Sequence, residues 1–188
     1  MRDSRRLRHR IHKAIKIMKE NYLIRSATPK DEPTLWQMLM HAAHESSLSV
    51  VTSNPELARY VESWGRSGDL GVVAEQQNIP VGAAWVRLWN KHNRGYGYVA
   101  DEVPELAIAT LPNYRAQGIG TQLLTKLLAL AELQYSAISL SIRADNPALR
   151  LYERIGFVPV AGSDVINREG GRSFSMIYKF TAELCFAN

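Results

Sequence analysis

The run Leu106-Ala-Ile-Ala-Thr-Leu-Pro-Asn-Tyr-Arg-Ala-Gln-Gly-Ile-Gly120 does most to limit what this chain can fold into. A small-residue strand enters a loop, and a helix over 118–134 leaves it. Ile119, Leu123, Leu127 and Leu130 mark one apolar stripe on that helix. A further strand reads over 137–142. An order of this kind needs a sheet with a helix laid on its face, an α/β arrangement. The rest of the pattern adds strands over 22–26, 70–75, 81–89, 157–160 and 173–180. Helices read over 34–44, 55–64 and 146–155, with 46–54 as a linker and 90–104 as a polar loop. The expected architecture is a central mixed, twisted sheet of six to seven strands with helices on both faces. It forms a single domain over 21–188, preceded by a basic extension over 1–20.

The loop carries a chemical signal of its own. Gly118 and Gly120 lack side chains, so the backbone turns tightly there and its N–H groups can approach a large anion. The helix behind them adds unsatisfied donors and a positive dipole end, and Arg115 adds a cation. This is the chemistry of a pyrophosphate cradle. No Gly-Lys-Ser/Thr follows, so it is not a Walker loop. Only two of the three glycines of the dinucleotide fingerprint are correctly spaced.

Composition narrows the partners. Of 188 residues 46% are hydrophobic, enough for a sizeable core without staples. The one cysteine, Cys185, excludes an internal disulfide and a multi-cysteine metal site, and fits a reducing, cytoplasmic compartment. No apolar run reaches 18 residues, so no membrane span is expected. The net charge is +5, but residues 1–20 hold eight Lys/Arg against Asp3 and Glu20, so the body is close to neutral. Nucleic-acid binding by the body therefore loses its electrostatic support, while the basic arm leaves that question open. The five histidines form no metal-ligand set with acidic or thiol partners, and no metal is expected.

Arg115, Gly118 and Gly120, with Pro112 ahead of them, resemble the acyl-CoA-binding motif of the GNAT acetyltransferase superfamily, Arg/Gln-x-x-Gly-x-Gly/Ala after a strand. Thr110 stands where valine is common. A second motif follows as Asn146-Pro-Ala-Leu-Arg-Leu-Tyr152-Glu-Arg-Ile-Gly156-Phe157, in the order usual for the close of this fold. The resemblance covers about residues 22–180.

The resemblance implies a GNAT-like acyl-CoA acyltransferase fold, with strands 106–110 and 137–142 splayed around acetyl-CoA as cosubstrate. The pantetheine would bond to the backbone of Ile108, Ala109 and Thr110. The pyrophosphate would meet the N–H groups of Gln117, Gly118, Ile119, Gly120 and Thr121, beside Arg115. Asn146 would cap its helix and reach the cofactor arm, whereas Arg150 and Arg154 read as solvent-facing. The implied activity is acetyl transfer from acetyl-CoA to a primary amine by direct attack in a ternary complex. Tyr152 is the implied acid toward the leaving sulfur. Glu105 and Glu102 are the candidates for the base or for binding the acceptor cation. His44 and His92 have better reference pKa values but no positional support.

A small-molecule amine is the expected acceptor. A protein N-terminus or lysine, docked by the basic arm, is the alternative, as is a regulatory module that binds acyl-CoA without turnover. Trp85, Trp89, Tyr96 and Tyr98 either pack the sheet or line the acceptor site. Pairing common among relatives implies a possible homodimer, with Leu184 and Phe186 available in the tail.

Overall fold

A computed structural model describes residues 22–180. The basic arm, Cys185 and the tail contact through Leu184 and Phe186 lie outside the described residues. Eight strands form one sheet: β1 (Leu23–Ser26), β2 (Leu70–Gln76), β3 (Ile79–Arg87), β4 (Glu105–Thr110), β5 (Ala137–Arg143), β6 (Val158–Pro159), β7 (Val165–Ile166) and β8 (Arg172–Lys179). Their order is β1-β2-β3-β4-β5-β8-β6, with β7 paired to β8. Every pairing is antiparallel except that of β4 with β5. Among the described residues the five α-helices are α1 (Glu32–Ala42), α2 (Leu48–Ser53), α3 (Pro55–Ala58), α4 (Ile119–Ala131) and α5 (Leu149–Ile155). None of the described helices is long and apolar enough to cross a membrane.

Strand alternation divides the core between the two faces. Val72 and Ala74 of β2 point to one face, where they join Leu123, Leu124 and Leu127 of α4 with Phe157 and Met176. Val73 points to the other, with Leu35, Met38 and Leu39 of α1 and the indole of Trp85. Helices therefore cover both faces, as the pattern predicts.

All seven expected strands are present, and two-residue β7 makes the eighth. The expected linker over 46–54 contains α2. Its first turn is capped by the Ser47 hydroxyl, which accepts the Val50 N–H, and Val51 is fully buried. The expected helix over 55–64 stops at Ala58. Its continuation is claimed by the fully buried Arg87, whose guanidinium donates to the carbonyls of Arg59 (2.7 Å), Glu62 (2.9 Å) and Ser63 (3.4 Å). The same group forms a two-pronged pair with buried Asp69 at 3.0 and 2.7 Å. Arg87 thus pins residues 59–69 to β3 and fixes the position of Tyr60.

Candidate active site

Two structural devices meet at the centre of the sheet. The first is the seam between the parallel strands, where the register joins only Glu105 with Ser139. Beyond that point β4 and β5 part. Residues 107–110, which would be buried in a closed sheet, are only half-buried. Backbone groups there that face β5 have no strand partner and need another one. A cleft of about 910 Å³ opens at this seam.

The second device is the start of α4. Gly118 adopts φ +85°, a left-handed conformation that costs glycine nothing. Ala116, two residues earlier, is also left-handed at φ +56°. For alanine that is a strained backbone, of the kind that collects at binding loops. Among the described residues no acceptor bonds the N–H groups of Ile119, Gly120 or Thr121; the first bond at this end runs from the Gln122 N–H to the Gly118 carbonyl at 3.2 Å. A Cβ on Gly120 would stand 3.3 Å from Leu151 Cδ2, inside the space the loop keeps clear. These donors, with Arg115 and Arg154, line one half of the cleft.

The other half leads to Glu105, which is 3% exposed. Its Oε1 accepts from the Tyr60 hydroxyl and from the Gly97 N–H, both at 2.8 Å. Oε2 makes no hydrogen bond, and neither does the buried Trp89 Nε1 turned toward the same carboxylate. Burial pushes the carboxyl up to about 7, against the opposing pull of Tyr60, Gly97, Trp89 and the Arg59 charge. Tyr60 in turn accepts the Tyr96 N–H at 2.8 Å. The loop after β3 is therefore tied to the carboxylate through two residues. It fits only because it carries glycines: a Cβ on Gly95 would lie 2.0 Å from Glu105 Oε2, and one on Gly97 would lie 2.4 Å from the Leu140 backbone.

A family description matches this geometry. The acetyltransferase (GNAT) family model covers residues 34–157, well over half of the chain. The chain belongs to this family. No match is found among curated protein sequences. Among solved structures, the ribosomal-protein-alanine N-acetyltransferase of Brucella melitensis is 24% identical, with a TM-score of 0.64 over 84% of this chain and 99% of that one. The yncA protein of Salmonella typhimurium, solved with its cofactor acetyl-CoA, is 20% identical at a TM-score of 0.66 over 85% and 94%. The spermidine/spermine N-acetyltransferase SpeG of Vibrio cholerae is 18% identical at 0.57 over 85% and 95%. At these identities the likeness is one of fold.

The GNAT cosubstrate, acetyl-CoA, fits the residues present. Unpartnered donors at the start of α4 suit a diphosphate, and the open edge of β4 suits the amides of a pantetheine arm. Of the expected cofactor residues, Ile108, Ala109, Thr110, Arg115, Gly118, Ile119, Gly120, Thr121 and Asn146 line the cleft. Gln117, expected to offer its N–H, is not among the lining residues; its side chain accepts from the Tyr22 hydroxyl at 2.7 Å and ties the loop to the start of β1. Asn146 accepts the Ala148 N–H at 2.9 Å, so it caps the turn ahead of α5, which starts at Leu149, three residues after the expected start.

Tyr152 lines the cleft at 9% exposure, and burial raises its phenol well above the ordinary value. Glu102 is exposed and does not line the cleft, whereas Glu105, the other candidate, does; Glu169 lines it too and is paired with Arg143. His44 lines the cleft and His92 does not. Trp85 and Trp89 are buried packing residues, whereas Tyr96 lines the cleft. Tyr60, Gly97 and Ala116 escaped the sequence reading; Arg154, expected to face solvent, is exposed and also lines the cleft. The glycines flanking Tyr96 were the available signal for the loop. Among the described residues no group of His, Cys, Asp or Glu could hold a metal.

Proposed function

We propose that this protein transfers an acetyl group from acetyl-CoA to the primary amine of a small molecule within a ternary complex. The observation that carries the reading is the cleft itself. It runs without interruption from unpartnered helix donors at Gly120 to a buried carboxylate held near neutrality at Glu105. Bound acetyl-CoA supplies an activated thioester. Ile119, Gly120 and Thr121 hold its diphosphate with backbone N–H groups, beside Arg115.

An amine reaches the site as an ammonium and must lose a proton before it can attack. A carboxylate near its reference value would be a poor acceptor for that proton; one displaced to about 7 is better matched. Glu105 takes the proton, directly or through a water. The nitrogen lone pair forms the N–C bond as the C–S bond breaks. The sulfur leaves with the electron pair and takes up the second proton shed by the nitrogen, so the products are an amide, the CoA thiol and the one proton that Glu105 accepted, released to solvent. Tyr152 keeps its proton at every working pH because its phenol is raised. It stabilises the leaving sulfur by donating a hydrogen bond from the wall of the cleft.

A thiol-release assay with acetyl-CoA and a panel of amines tests this. Glu105→Gln is expected to lower kcat/KM by about 10²–10⁴, the range for a lost general base, while leaving acetyl-CoA affinity within twofold. Turnover unchanged in Glu105→Gln would remove Glu105 from the reaction.

A further inference from the structure

Two features of the acceptor half of the cleft bear on which amine it takes. One is its wall. Leu39, Leu57, Tyr60, Tyr96, Val165 and Ile166 are large apolar and aromatic side chains that line the cleft together with Glu105. Tyr60 and Tyr96 stack with centroids 6.2 Å apart and planes 11° apart. At the rim Tyr96 is 47%, Val165 57% and Ile166 77% exposed. Large apolar side chains left open around a concave mouth mark a surface that gains from being covered.

The other feature is charge. Apart from Glu105, the carboxylates at this end already have arginine partners: Glu45 pairs with Arg168 at 2.9 Å and Glu169 with Arg143 at 2.7 Å. Arg168 and His44 also line the cleft. The Glu45–Arg168 pair joins the segment after α1 to the β7–β8 turn. A second ammonium on the acceptor would have to compete with Arg143 for Glu169 and would approach the Arg168 guanidinium. Like-charge juxtaposition of this kind excludes a partner more effectively than a missing contact does.

We infer that the acceptor is a primary monoamine carried on an uncharged apolar or aromatic body, seated against the Tyr60–Tyr96 stack with its nitrogen directed to Glu105. This inference rests on the acetyl transfer proposed above. It sets the protein apart from a polyamine acetyltransferase, because Glu105 is the buried carboxylate of the cleft that carries no ion pair, and Glu169, which also lines it, is already paired with Arg143.

The test uses 2-phenylethylamine, spermidine and an alanine-terminated peptide as probes of the full chain. Each is followed by calorimetry in the presence of CoA and by thiol release with acetyl-CoA. The expected result is binding of 2-phenylethylamine and a kcat/KM at least tenfold above that of spermidine. Tyr96→Ser should weaken 2-phenylethylamine binding about fivefold or more with no change in acetyl-CoA affinity. Ile166→Glu, which places a free carboxylate at the rim, should narrow the gap between the two amines. Spermidine used as well as or better than 2-phenylethylamine overturns the inference. So does turnover of the peptide with no binding of 2-phenylethylamine. In both cases acetyl transfer stands. Failure to bind acetyl-CoA at all removes the reading beneath it and the inference together.

Discussion

Replacing Glu105 with Gln should make the protein less sensitive to pH in its folding stability. The native state holds the Glu105 proton up to about pH 7, whereas the unfolded chain releases it near the ordinary carboxyl value of 4.5. Between those values the native state binds more protons than the unfolded state, so stability falls as pH rises through that window. Each pH unit of displacement is worth about 1.4 kcal/mol, and the group is almost wholly buried, so solvent screening is slight. The full loss is roughly 3 kcal/mol, most of it between pH 5 and pH 8. Glutamine keeps an oxygen for the Tyr60 hydroxyl and the Gly97 N–H and has no proton to lose. Urea denaturation of both proteins at pH 5 and pH 8 isolates the effect, because other titrating groups are shared. The wild type should lose roughly 2–3 kcal/mol more than Glu105→Gln over this interval. Parallel losses would refute the argument, since they would mean that Glu105 ionises as it does in water and that its hydrogen bonds fully offset its burial.

Three further outcomes follow from the geometry. Gly97→Ala puts a Cβ 2.4 Å from the backbone of β5, which cannot give way; it should displace the loop, cost about 1–3 kcal/mol as overpacking does, and lower kcat while acetyl-CoA affinity is retained, read by urea titration and turnover. Ala116→Gly relieves a left-handed alanine and should stabilise the fold by about 1 kcal/mol, seen as a rise in Tm of a few degrees; no rise would mean that the loop bears no strain. Arg87→Met strands the buried Asp69 carboxylate and three carbonyls, and should cost about 3–5 kcal/mol by denaturant unfolding, far more than loss of the exposed Arg168 partner of Glu45.

The parts legible in the sequence were those whose signal is local. The stripe Ile119-Leu123-Leu127 lies on one helix, and Gly118 and Gly120 stand at its start, so both the element and its anion-binding end could be read from adjacent residues. The seam was expected from the family resemblance, which implied strands 106–110 and 137–142 splayed around the cosubstrate. The parts that were missed depend on distance or on context. Leu48-Ser-Val-Val-Thr-Ser has a poor composition for a helix and becomes α2 because Ser47 caps it and Val51 is buried. Arg87 looks like an exposed charge in a strand until residues 59–69 fold over it. Tyr60 reaches Glu105 across 45 positions of chain, a pairing that no periodicity announces. The choice between Glu105 and Glu102 was likewise open in sequence. The structure separates the two by position: Glu105 is the β4 residue held at the closed end of the seam and lines the cleft, whereas Glu102 is exposed and does not.

The central claim is that the start of α4 and the parted edge of β4 form the seat of acetyl-CoA. Calorimetric titration of the wild type, Arg115→Ala and Gly120→Asp with acetyl-CoA tests it most directly. Arg115→Ala removes the cation, and Gly120→Asp places a bulky negative charge among the free N–H groups. The account predicts micromolar binding to the wild type, weakened at least tenfold by each substitution, with both variants folded by their unfolding transitions. Binding of equal strength in all three, or none to the folded wild type, would contradict it.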